Sequence, residues 1–192
     1  MAIMWRYPLQ PLESGAGTAV TGGTTLTSGL GGLPVPQLPP VGVPGGRLSL
    51  RCTGEVTSTS ATPTVILGFY IGSVGQAIGS KTVLFASGAL AINVAATAWP
   101  FIMYFDGTFR SLSPTVGVLH GQGGVKSWFG ASPNGGLNVA AAEFPIPITA
   151  ALRTSSVMNN DQTNEIDVGI TLSSVTGTPS VTITDMWAEL SG

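Results

Sequence analysis

EIDVGITLSS, residues 165–174, alternates without a break: Ile166, Val168, Ile170 and Leu172 fall on one face of an extended chain, Asp167, Gly169, Thr171 and Ser173 on the other. Period two marks a strand with one face in a core. The same pattern predicts that Glu165 and Asp167 lie on the wet face. Working outward, similar runs recur as RLSLRCTGEV (47–56), TVILGFYIG (64–72), KTVLFA (81–86), ALAINV (89–94), AWPFIMYF (98–105), TFRSL (108–112), TVGVLHG (115–121), ITAALRTSS (148–156) and SVTITDMWAEL (180–190). Clusters of Gly, Pro, Asn, Asp and Ser separate them. Helical periodicity is absent apart from a short possible helix, LNVAAAE (137–143). Eight to ten strands at this spacing predict an all-β fold, a jelly-roll-like two-sheet β-sandwich over residues 47–192.

Composition points to a covered surface. Of the 192 residues only 8% are charged, against roughly 25% in ordinary soluble domains. A free monomer needs surface charge to stay soluble, so other chains are expected to cover much of this one. Seven basic residues, scattered along a chain of net charge −2, argue against nucleic-acid binding. Cys52 is the single cysteine and allows no internal disulfide; the alternation of RLSLRCT points it inward with Leu48 and Leu50. The opening MAIMWRYPLQPLESG has no basic region followed by an apolar one, so synthesis without secretion is expected. Residues 82–105 imitate a membrane span in length, but Thr82, Ser87, Gly88, Asn93, Thr97 and Pro100 interrupt them. A buried sheet, not a membrane segment, is the reading.

Residues 1–46 look different. They are rich in Gly, Pro, Thr and Leu, and show neither period. Within them, LGGLPVPQLPPVGVPGGRL (30–48) carries Pro34, Pro36, Pro39, Pro40 and Pro44, each without a backbone donor and with φ fixed. This excludes a helix or an inner strand. The interleaved Leu and Val residues suit a docked segment better than a solvated linker. The prediction is an extended contact arm, able to reach on the order of 100 Å in a polyproline conformation. Trp5, Leu33, Val35, Leu38, Val41 and Val43 are its expected partner contacts, and its removal is expected to leave the sandwich folded.

Chemistry-bearing motifs are scarce. His120 is the only histidine, lies in GVLHGQGG and has no GxSxG elbow to serve, so it is read as a strand-end or contact residue. One His and one Cys cannot supply a tetrahedral zinc site. GSVGQAIGSKT (72–82) resembles a phosphate loop, but Ser80 stands between Gly79 and Lys81 and breaks the required Gly-Lys step; it reads as a strand connection. Asp161, Glu165 and Asp167 gather in NNDQTNEID (159–167), without the glycine and closing glutamate of a calcium loop. They read first as a polar turn, with calcium binding or a glycosidase pair as alternatives. No cofactor is expected. Among the aromatics, Trp99, Trp128, Trp187, Tyr70, Tyr104 and Phe129 could form a sugar surface, though most aromatics in a sandwich are core. Trp128 and Phe129, in the loop SWFGASPNGG (127–136), are the expected exception and a partner contact.

Three stretches, RLSLRCTGEVTSTSATPTVILGFYIG, AWPFIMYFDGTFRSLSPTVGVLHGQG and NEIDVGITLSSVTGTPSVTITDMWAEL, together resemble the jelly-roll structural proteins of tailed bacteriophages: minor capsid, decoration and some tail proteins with a Gly/Thr-rich N-terminal arm. The resemblance covers about three quarters of the chain. It implies a non-enzymatic virion component, a homo-oligomer and by expectation a homotrimer, seated on a major capsid protein. The alternatives are a tail-associated receptor- or carbohydrate-binding protein and a polysaccharide hydrolase.

Overall fold

A computed structural model describes residues 4–7, 19–21, 25–35, 47–58, 63–93, 95–112, 117–127, 142–146, 153–158, 164–174, 176 and 178–191. Among them the chain forms two antiparallel β-sheets packed face to face, as the alternation required. The larger sheet holds β1 (Met4–Tyr7), β2 (Val20–Thr21), β4 (Arg47–Thr57), β8 (Trp99–Leu112), β9 (Gly117–Ser127), β10 (Ala142–Ile146), β11 (Arg153–Met158) and β13 (Ser180–Ser191). The smaller holds β3 (Thr27–Val35), β5 (Thr64–Ser73), β6 (Thr82–Ala86), β7 (Leu90–Ala91) and β12 (Asn164–Leu172). No helix among the described residues is long and apolar enough to cross a membrane. Residues 82–105 instead form β6, β7 and the first half of β8.

The core lies between the sheets and is built from one parity of each strand. Leu48, Leu50, Cys52 and Val56 of β4, with Phe101, Met103 and Phe105 of β8, face Val65, Leu67, Phe69 and Ile71 of β5 and Ile166, Val168, Ile170 and Leu172 of β12. Cys52 points inward with Leu48 and Leu50, as its run indicates, and burial pushes its thiol pKa well above the ordinary 9.0.

Strand order identifies the sandwich as a jelly roll. One sheet runs β1-β13-β4-β8, the other β3-β12-β5-β6, and among these eight strands only β5 and β6 follow one another within one sheet. First and last strands are neighbours, and the long-range pairs close two interlocked Greek keys. Strands β9, β10 and β11 are inserted between β8 and β12 and widen the larger sheet: β10 pairs with Gly123–Ser127 of β9, and β11 with its Gly117–Gly121 half.

Two features depart from the sequence reading. The first concerns residues 1–46. Three strands come from this stretch: β1 and β2 pair with β13, and β3 pairs with β12. Part of the expected contact arm therefore supplies the opening strands of the jelly roll. Pro34 rightly excludes an inner strand, but β3 is an edge strand, where one side of the backbone has no partner and a proline is tolerated. Its irregular register against β12, shifted twice, explains why TSGLGGLPV shows no clean alternation. Trp5 pairs through its backbone with Leu190, Leu33 with Ile166 and Val35 with Asn164. Leu38, Val41 and Val43 lie outside the described residues, as does most of the segment 137–143.

The second departure is at Asp106-Gly107, which reads as a turn between two strands. β8 runs straight through it, paired on both sides: Gly107 sits opposite Leu48 of β4 and Gly121 of β9. Here glycine serves close approach, since a Cβ on Gly121 would stand 2.5 Å from the Phe105 ring and 2.7 Å from the Asp106 carbonyl oxygen. Phe105 fills the space that those side chains would need.

Deleting residues 10–46 removes β2 and β3 and bares one edge of β12. The truncated chain is expected to lose its cooperative thermal transition or to melt far below the full-length protein; melting at the full-length temperature would contradict the pairing of β3. Folded-state burial also raises the Tyr70 phenol pKa. Both groups are held protonated by folding, so their contribution is complete at neutral pH and is lost as pH rises past 9.0, where the unfolded thiol ionises. Denaturant midpoints are expected to hold level from neutral pH to near 9.0 and to fall above that value, and Cys52 should resist thiol reagents until the chain unfolds.

Candidate functional site

The solvent face of the larger sheet carries a row of side chains running across four neighbouring strands. Trp187 of β13 is paired with Arg51 of β4, Arg51 with Tyr104 of β8, and Tyr104 with Gly124 of β9. The Arg51 guanidinium carbon lies 5.2 Å from the centre of the Tyr104 ring and 5.7 Å from that of Trp187, so one cation bridges two aromatic faces. Both terminal nitrogens donate to Asp106 Oδ2 at 3.2 Å. This exposed ion pair adds little stability by itself, but it fixes the plane of the guanidinium. Tyr104 lies flat because Gly124 has no side chain: a Cβ there would sit 2.5 Å from the phenol oxygen and 2.7 Å from Cζ. Within the row Trp187 is 36% exposed, and Ile102 beside it 37%.

A β-bulge turns Trp187 outward. Val181 and Ile183 are buried, and strict alternation would put residues 185 and 187 in the core with them. The register between β13 and β4 instead slips between Ile183 and Asp185, which inserts Thr184 as an extra residue. Beyond the slip Met186 is buried and Trp187 faces solvent. Thr184 Oγ1 lies within hydrogen-bond distance of Thr53 Oγ1 at 3.0 Å and helps hold the bulge. The adjacent polar pair Thr184-Asp185 in an otherwise alternating run is the sequence signal of this shift.

A second cluster is buried on the outer side of the smaller sheet. Glu165 and Asp167 do not face solvent as the alternation suggested; both are buried, and both contact Lys81. Lys81 Nζ donates to Glu165 Oε1 and to Asp167 Oδ2, the latter at 3.3 Å, and the Ser28 hydroxyl donates to Asp167 Oδ1 at 2.5 Å. The reason lies in the connection from β5 to β6, residues 74–81, which includes one 3-10 turn, Ile78–Ser80. It folds back so that Lys81 crosses β5 above Gly72, where a Cβ would stand 2.8 Å from Lys81 Cγ. Gln76 ties the connection down, accepting from the Ser73 amide at 3.0 Å and donating to the Ser80 carbonyl at 2.8 Å. The lysine of the phosphate-loop-like run is thus spent on carboxylates of its own chain.

The remaining candidates fall as follows. His120 lies within β9, between Thr108 of β8 and Thr154 of β11, and is half-buried rather than at a strand end. Tyr70 is buried, and Trp99 packs partly buried against the core. Trp128, Phe129 and Asp161 lie outside the described residues. Among the described residues no three His, Cys, Asp or Glu side chains are grouped to hold a metal ion.

No protein-family model matches the chain, and no curated protein matches it. Among solved structures, a legume lectin-like domain from Entamoeba histolytica aligns over 97% of this chain and 88% of its own, at 7% identity and a TM-score of 0.25. Likeness of that degree bears on neither fold nor function.

Removing Lys81 would leave two carboxylates buried without a counter-charge. Lys81→Ala is expected to destabilise the protein by about 3–5 kcal/mol, measured by equilibrium denaturation; a loss below about 1 kcal/mol would mean that water reaches the site freely.

Proposed function

We propose that this chain is a non-enzymatic structural protein of a virion, a capsid decoration or minor capsid protein that works by burying its surface against a major capsid protein and against copies of itself. The observation that carries this reading is the Trp187–Arg51–Tyr104 row on the open face of the larger sheet. Trp, Tyr and Arg are the residue types that most often dominate the energy of protein interfaces, while Lys and Glu are depleted there. A rigid sheet holds these three in register, so little side-chain freedom is left to lose on docking. Support also comes from the jelly-roll order, an architecture shared by viral capsid proteins and lectins, and from the low charge of the chain. A homo-oligomer, a trimer by the family resemblance, and location in the particle complete the proposal.

The same row supports a second reading. Two rings on a flat face could stack on a sugar, as in a tail-associated receptor-binding protein. Arg51 lies between the rings and is paired to Asp106, which favours a protein partner for the row.

Trp187→Ala is expected to weaken binding to purified capsid shells at least ~10-fold, about 1.4 kcal/mol, while leaving the melting temperature nearly unchanged. Gly124→Ala should act in the same direction by lifting Tyr104 away from Arg51. Full shell binding by both variants would overturn the proposal. A sugar-dependent rise in melting temperature that Trp187→Ala abolishes would favour the second reading.

A further inference from the structure

The cluster around Lys81 holds more than a lone ion pair requires. One amine meets two carboxylates in a site where the Lys81 side chain is 0% exposed, Glu165 12% and Asp167 6%. Ser28 adds a hydroxyl donor aimed at one oxygen of Asp167, and Lys81 Nζ stands 3.3 Å from the other. An amine, an acyl carbon, a second carboxylate able to carry a proton and a donor for the carbonyl oxygen are the parts needed to form an amide. We propose that Lys81 and Asp167 condense within the folded chain into an amide bond from Nζ to Cγ, with Glu165 as proton carrier.

The steps balance without oxidant or cofactor. Glu165 takes a proton from the ammonium and relays it to Asp167 Oδ2, which leaves a neutral amine beside a neutral carboxylic acid. The nitrogen lone pair attacks Asp167 Cγ, and negative charge gathers on Oδ1, where the Ser28 hydroxyl holds it. Glu165 then carries a second nitrogen proton to Oδ2, the Cγ–Oδ2 bond breaks, and Oδ2 leaves as water. An ammonium and a carboxylate become a neutral amide and one water, and Glu165 returns to its carboxylate form. In open water this condensation runs backward. Here the sheet holds the reactants at contact distance, and burial makes the charged pair expensive relative to the neutral product. Asp167 is the acyl partner because the hydroxyl donor is on its oxygen.

The bond would join the β5–β6 connection to β12 across β5, passing over Gly72, and would close a loop between positions 86 apart in sequence. This inference does not depend on the proposed virion role. It would serve any protein that must outlast mechanical or thermal stress, because the covalent link constrains the unfolded chain.

Intact mass spectrometry of the denatured full-length protein tests it. The expected mass is one water below that of the sequence, and a protease digest should yield one branched peptide joined at Lys81 and Asp167. Glu165→Gln, with no group to carry the proton, should keep the full sequence mass while remaining folded. Natively folded wild-type protein at the full sequence mass would overturn the proposal, whatever the variant does, and a branch at Glu165 would overturn the choice of acyl partner.

Discussion

Strand β12 is buried on both faces, and the remainder of the sandwich is arranged to permit that. Its even-numbered residues fill the core between the sheets. Its odd-numbered face carries Glu165 and Asp167, which are expensive to bury and are tolerable only because Lys81 and Ser28 reach them. Lys81 reaches them only because Gly72 leaves a path over β5 and Gln76 holds the connection in place. On the other side, β3 covers the second edge of β12. A small polar network therefore fixes how the β5–β6 connection and β3 pack on β12.

The larger sheet shows the opposite arrangement. Its inner face is a plain hydrophobic surface, and its outer face is left open with an arginine clasped between two rings. The bulge at Thr184 makes both possible in β13, which supplies Val181 and Ile183 to the core before the slip and Met186 after it. An exposed aromatic and a core are thus drawn from one strand by a change of phase.

Much of this was legible in the residues. Strict alternation in β4 and β12 gave the sheets, the inward direction of Cys52 and the core set, because period two maps directly onto faces. Asp106-Gly107 misled, since a turn-forming pair can equally be a site of close packing when strands lie on both sides of it. The edge strand β3 was hidden because pairing on one side alone tolerates a proline and two register shifts. The ion cluster was hidden for a different reason: Lys81 lies 84 and 86 positions from the two carboxylates, and only the folding back of residues 74–81 brings the lysine over the sheet. The Trp187–Arg51–Tyr104 row was half visible. Trp187 and Tyr104 were among the aromatics available, but the phase shift that exposes Trp187 was written only in the two consecutive polar residues before Met186.

Pro34 has a consequence for how copies of this molecule can meet. An open strand edge is a template on which another chain can add a strand, and long flat edges invite uncontrolled growth. At β3 that template is defective, because the proline nitrogen offers no donor and the two register shifts bend the ladder. Among the described residues the smaller sheet is therefore a poor template for strand addition along this side.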